Sequence, residues 1–191
     1  VLSDRTHIGD FGWADWARGV VRRRLGLWWF RKWHRHVTFG PRCDVRAPTK
    51  LLVASGATVR FGAGCVLDSG MVVECRGELV VGDRTVFGHH CTVAVSERVE
   101  IGRDCLIGEL VSIRDHDHGF ADASEPMMDQ HSPADSVRIG DNVWLGCKVT
   151  VVSGVTIGAN TIVGANAVVT GNLPPDCIAV GIPARVVRRR S

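Results

Sequence analysis

Fifteen times in this chain an aliphatic or aromatic residue returns at the sixth place. Phe61, Leu67 and Val73 form one run, Val81, Phe87 and Val93 a second, and Ile101, Ile107 and Ile113 a third. The longest reads Ile139, Leu145, Val151, Ile157, Val163 and Val169. Glycine follows directly in nine of the fifteen cases, and four places beyond an anchor the residue is usually small or β-branched, as at Cys65, Thr85, Cys105 and Ala167. Six matches neither the helical period near 3.6 nor the alternation of a lone strand. It matches a coil of short strands whose turns stack, each anchor above its counterpart in the next turn. The period therefore commits the chain to an all-β solenoid.

Bulk properties narrow the setting. A chain of 191 residues fits one domain with a proper core, and 45% hydrophobic with 23% charged residues is a soluble balance. No stretch approaches the ~18 apolar residues of a membrane span, and no signal-peptide pattern opens the chain. Seven cysteines is an odd number without a CxxC pair, and Cys65, Cys91, Cys105 and Cys147 fall on or beside inward places of the repeat. They read as buried thiols in a reducing, cytoplasmic compartment. Residues 1–43 hold nine basic and three acidic side chains, and residues 185–190 add four arginines, so the body between is acidic. That layout opposes a nucleic-acid-wrapping surface and leaves room for a phosphate-bearing ligand near one end.

Three regions follow. Residues 1–36 are basic and carry five of the six tryptophans; a helix over about residues 14–33 would cap the open end of the solenoid. The same segment, from residue 13 to 36, has the composition of a peptide that lies on an anionic membrane surface, which would put the chain at the inner face of the membrane. Residues 37–171 hold the repeat, with two-residue shifts after Val73 and Val93 that read as excursions at corners. One interruption, residues 114–138, is polar, contains Pro126 and Pro133, and must protrude; a loop of that length on a rigid scaffold is usually functional. Residues 172–191 leave the repeat at Pro174, Pro175 and Pro183.

Several segments together resemble the hexapeptide-repeat acyltransferases, and within them the maltose, galactoside and exopolysaccharide O-acetyltransferases. They are the repeat from Phe61 to Val169, IGDNVWLG (139–146), GVTIGANTIVGANAVVTGNLPPDCIAVGIPARVV (154–187) and DHDHG (115–119) just before the loop. The resemblance implies a left-handed parallel β-helix of triangular section, the recognised exception to right-handed crossover. It also implies a homotrimer with sites between subunits, acetyl-CoA as co-substrate, a saccharide acceptor and no metal.

Acetyl transfer to a hydroxyl needs a base, a stabilised oxyanion and two aligned substrates. The family's histidine lies five residues past the last anchor before the loop, which is His118 counted from Ile113. His116 shares its face in an extended strand, so the sequence leaves both open and favours His118. Asp115 and Asp117 flank the pair, but alternation turns them to the opposite face, so a carboxylate of another coil is as good an orienter. By loose analogy with the family, His89, His90, Asp115 and Gln130 stand near the acceptor; the alternative is an exposed corner and a solvated loop. The resemblance implies that Trp144 shapes the groove holding coenzyme A near the catalytic histidine, that Gly146 and Ala165 lie along the pantetheine arm, and that Arg185 and Arg188 meet the adenosine 3′-phosphate. Core or trimer packing for Trp144 and a frayed basic tail are the alternatives. Two other classes share this coil. One is the γ-class carbonic anhydrase, whose H-x4-H zinc spacing differs from the H-x-H here. The other is a non-catalytic trimeric solenoid.

Overall fold

A computed structural model describes residues 36–190. The proposed cap helix and membrane-facing stretch therefore lie outside the described residues, apart from His36. The first coil comprises β1 (Val37–Phe39), β2 (Asp44–Val45) and β3 (Lys50–Val53). The second comprises β4 (Thr58–Phe61), β5 (Val66–Leu67) and β6 (Val72–Cys75), and the third β7 (Glu78–Val81), β8 (Val86–Phe87) and β9 (Thr92–Val95). The fourth holds β10 (Arg98–Ile101), β11 (Leu106–Ile107) and β12 (Ser112–Arg114). After the loop come β13 (Val137–Ile139), β14 (Trp144–Leu145) and β15 (Thr150–Val151), then β16 (Thr156–Ile157), β17 (Ile162–Val163) and β18 (Val168–Val169). Last are β19 (Cys177–Val180) and β20 (Arg185–Arg189).

Every third strand pairs in parallel with its predecessor, so the coils stack into a prism with three faces. The first face runs β1-β4-β7-β10-β13-β16, the second β2-β5-β8-β11-β14-β17-β19-β20, and the third β3-β6-β9-β12-β15-β18. All fifteen anchors are buried, because each is the inward residue of its short strand. Phe39 stacks on Phe61 at 4.9 Å between ring centroids, and Phe87 meets Phe61 edge-on at 6.5 Å. Buried thiols and hydroxyls are satisfied against the next coil: Cys91 Sγ donates to Gly108 O at 3.0 Å and Thr85 Oγ1 to Gly102 O at 2.8 Å.

Two glycines show why the corners need them. A Cβ on Gly146 would lie 2.6 Å from Ala165 N, and one on Gly102 would lie 2.6 Å from Gly140 C, so the coils stack too closely for any side chain.

Two expectations change. The two-residue shifts after Val73 and Val93 do not bulge at corners. They lengthen β6 and β9 to four residues, and Cys75 and Val95 turn inward as additional core. The prolines also end the six-residue period without ending the solenoid. Leu173 bridges Ile157, β19 adds a parallel rung beside β17, and β20 folds back antiparallel along its edge.

Candidate active site

The fourth coil ends in β12 on the third face, and there the regular winding is interrupted. Arg114 still pairs with Ala94, but the next residues leave the prism. The two limbs of the protrusion pair antiparallel at its base: His116 bridges Ala134, Asp117 N donates to Pro133 O at 3.1 Å, and Asp135 N to Asp115 O at 2.7 Å. The loop proper therefore spans residues 115–136, since Arg114 closes β12 and Val137 opens β13.

Asp115 points inward and has no exposed surface. Its Oδ1 accepts from Ser96 N at 2.7 Å, and its Oδ2 from Glu97 N and Arg98 N at 2.8 Å each. His116 Nδ1 lies 3.0 Å from Asp115 Oδ1. An acceptor contact by Asp115 does not fit a carboxylate enclosed in this way, so that expectation is corrected. The alternation argument also fails at this residue, because the chain turns a corner between Asp115 and His116 and brings the two side chains together. His116 is three-quarters covered, whereas Asp117 and His118 stand exposed at the loop's foot.

Gln130 changes role as well. Its Oε1 accepts from Asp122 N at 3.1 Å, while Nε2 donates to Asp122 O at 2.7 Å and Glu125 O at 2.8 Å. Both Nε2 hydrogens are spent closing the loop on itself, so the amide has no donor left for an acceptor sugar.

The remaining candidates occupy a different edge, the corner between the second and third faces. His89 and His90 follow Gly88 there; His89 Nδ1 lies 2.9 Å from Ser69 Oγ and 3.3 Å from Asp68 Oδ1. Arg46 Nη1 holds the other oxygen of Asp68 at 2.8 Å. Gly146 and Ala165 stack on the same edge, and Trp144 lies just before it, facing outward on the second face with 51% of its surface exposed. Trp144 is thus not a core residue. Cys147 sits beside Gly146, and burial together with neighbouring Glu109 pushes its thiol up, which keeps it protonated near neutral pH.

Trp144 belongs to a register column that continues through Ile162 and Ile178 to Arg188 on β20. Arg185 and Arg188 are exposed; Arg185 Nη1 donates to Ala184 O at 3.0 Å. Arg189 and Arg190 are tied to main-chain oxygens, Pro175 O at 3.3 Å and Asn160 O at 3.1 Å.

One chain therefore keeps two sets apart. The histidine pair occupies one edge, and His89, His90, Trp144, Gly146 and Ala165 line the next. The third face lies between them, about six residues or ~20 Å of extended chain. Ser153 is a residue that the sequence did not single out: its Oγ donates to Asp115 O at 2.8 Å from the coil after the loop. The signal was faint, since a serine at a repeat corner reads as a solvated turn.

Comparison with known proteins agrees with this architecture. Residues 136–171 match the model of the bacterial transferase hexapeptide (six repeats). A putative lipopolysaccharide biosynthesis O-acetyl transferase, WbbJ of Escherichia coli K12, is 34% identical over 146 residues, covering 72% of this chain and 74% of the relative. Among solved structures, AntD from Bacillus cereus, an N-acyltransferase in complex with dTDP and coenzyme A, superimposes with a TM-score of 0.65 at 18% identity, covering 80% of this chain and 86% of that one. A galactoside acetyltransferase in complex with coenzyme A gives 0.58 at 21% identity, covering 92% and 82%. With an O-acetyl transferase relative matched over most of its length and the repeat laid out on three faces, the chain belongs to the hexapeptide-repeat acyltransferases.

Proposed function

We propose that the chain moves an acetyl group from acetyl-CoA to a hydroxyl of a saccharide, directly and within one ternary complex, with His118 as general base. The observation that carries this reading is the single interruption of the solenoid. At that place alone among the described residues the prism opens, and a buried carboxylate holds the imidazole of His116 there, with exposed His118 two residues on. His118 takes the hydroxyl proton as the sugar oxygen attacks the thioester carbonyl carbon. The tetrahedral intermediate then expels the coenzyme A thiolate, which receives that proton from the imidazolium. No protein thiolate is needed, and the protonated Cys147 offers none.

The cofactor track is the column Trp144–Ile162–Ile178–Arg188. It gives an apolar path of about three strand spacings, ~14 Å, that ends on a cation suited to a phosphate. In this reading the prism is left-handed and trimeric. A second copy lays its Trp144 edge against the histidine edge of the first, closing the ~20 Å gap that one chain leaves open. His89 and His90 then face the acceptor from the neighbouring copy.

A thiol-release assay with acetyl-CoA across a panel of free, nucleotide-linked and lipid-linked sugars tests the reading. His118→Ala should lower turnover by ~10² or more with little change in cofactor affinity. A second assignment, His116 as the base, is favoured by its contact with Asp115, which would leave Nε2 free to accept the proton. Full turnover in His118→Ala with loss in His116→Ala selects it, and wild-type rates in both single variants reject a histidine base. The basic tryptophan segment is a separate proposal, a peripheral contact with anionic lipid. Equal sedimentation with liposomes with and without residues 1–36 removes it.

A further inference from the structure

Asp115 has no exposed surface, yet it is heavily bonded at the mouth of the loop. A carboxylate has about four lone-pair sites. Three backbone N–H groups at the corner joining the third and fourth coils, from Ser96, Glu97 and Arg98, fill most of them, and His116 Nδ1 supplies the fourth partner. The main chain of the same residue makes three further hydrogen bonds. Its N–H donates to Ala94 O at 3.3 Å, and its carbonyl accepts from Asp135 N at 2.7 Å and Ser153 Oγ at 2.8 Å. One residue thereby fastens the preceding coil, the outgoing limb of the loop, the returning limb and the following coil.

We infer that Asp115 is a positioning residue for the candidate active site. Its buried carboxylate fixes His116 in the Nδ1–H tautomer and pins the foot of the loop to the 96–98 corner, which sets where the exposed imidazole of His118 stands two residues later. A charged acceptor bonded by several N–H groups is strong and directional. A catalytic group gains from such support because small displacements of its imidazole cost turnover steeply. An ordinary corner needs no carboxylate of this kind: at the equivalent corner one coil earlier, Arg76–Gly77, Glu78 N donates to Glu97 O at 2.9 Å through the main chain alone. The Asp115 anchor appears on the one rung from which the loop departs.

The kinetic arm of the test rests on the acetyl-transfer reading; the spectroscopic arm does not. The full-length protein, with histidine labelled by 15N, is compared as wild type, Asp115→Asn (same shape, no charge) and Asp115→Ala. Long-range 1H–15N spectra of the imidazoles should show His116 held as Nδ1–H in the wild type and drifting towards the Nε2–H form in both variants, with the circular-dichroism spectrum retained in Asp115→Asn. Turnover in the thiol-release assay should fall ~10²-fold in Asp115→Asn, with KM for acetyl-CoA changed less than ~3-fold. An unchanged His116 tautomer in a folded Asp115→Asn overturns the inference, as does a turnover loss no larger than the loss of folded protein. A wild type that releases no thiol with any acceptor, but whose His116 responds to Asp115→Asn, sinks acetyl transfer and leaves the positioning role standing.

Discussion

The first and second faces of the prism share one inner wall and have opposite exteriors. Outside the first face a charge ladder runs from coil to coil: Arg60 pairs with Glu78, Glu78 with Arg98, Arg98 with Glu100, and Glu100 with Arg138. Outside the second face the residues in register are Val66, Val86, Leu106, Trp144, Ile162 and Ile178, six apolar side chains in one column. Leu106 and Trp144 remain about half exposed. Interior anchors are therefore dictated by the fold, while the outer column is free to specialise. A ladder of alternating charge suits water and discourages pairing, whereas an uncharged apolar column of this length suits contact. In the proposed assembly the second face meets another copy and the cofactor, and the charge ladder of the first face meets solvent.

The largest effect should come from the wall that both faces share. Leu145 is wholly buried beside outward-facing Trp144. Leu145→Ala should cost about 2–5 kcal/mol in urea unfolding, because packed neighbours collapse only partly into the space left. A cost below ~1 kcal/mol would mean the wall is loosely packed and that the two faces do not rest on a common frame.

Next is the contact face itself. Leu106→Asp places a charge in the middle of the apolar column without touching an anchor. It should leave the far-ultraviolet circular dichroism intact, shift the sedimentation coefficient towards the single chain, and lower thiol release by ~10²-fold if, as proposed, the site spans two copies. Retained assembly together with retained turnover would erase the distinction between the faces.

The sequence announced the inner wall and kept the outer one obscure, for a physical reason. Inward side chains must fill a narrow prism, so their period is rigid; outward ones answer only to what lies beside them. The apolar column could still have been found, since Val66, Val86, Leu106, Trp144 and Ile162 each precede every third anchor. The ladder is legible in the same way, from Arg60, Glu100 and Arg138 before the anchors of the first face. The loop's inner workings were not legible. That Gln130 closes the loop on Asp122 and Glu125, and that Asp115 turns inward, depends on where the two limbs cross, which no periodicity records. The rung formed by β19 was missed because Pro174 and Pro175 break the count just before it.

A smaller effect should separate interior from exterior by pH. Burial pushes the Cys91 thiol up to about 11 from an ordinary value of 9.0. Between those values the unfolded chain loses the proton and the folded chain keeps it, so stability falls as pH rises. The loss should reach about 2–3 kcal/mol by pH 11 and be absent below pH 8. Cys91→Val removes the titrating group and should flatten that part of the profile in alkaline urea titrations. An unchanged slope would mean Cys91 ionises as freely in the folded state as in the unfolded one.

The smallest effect belongs to the solvent face. Glu78 bridges two arginines, Arg60 from the preceding coil and Arg98 from the next, with all three side chains partly exposed. Glu78→Gln keeps the shape and removes the charge, so the cost should be about 0.5–1 kcal/mol at low salt. It should shrink further in 1 M salt, where screening acts within ~3 Å. Assembly and thiol release should match the wild type, because the Glu78 carboxylate bonds only to Arg60 and Arg98 side chains and to no candidate site residue. If the cost persisted in high salt, packing of the long side chains rather than charge would hold the ladder. If assembly failed instead, the ladder would be a contact surface in its own right, and the contrast between the two faces would have to be drawn the other way round.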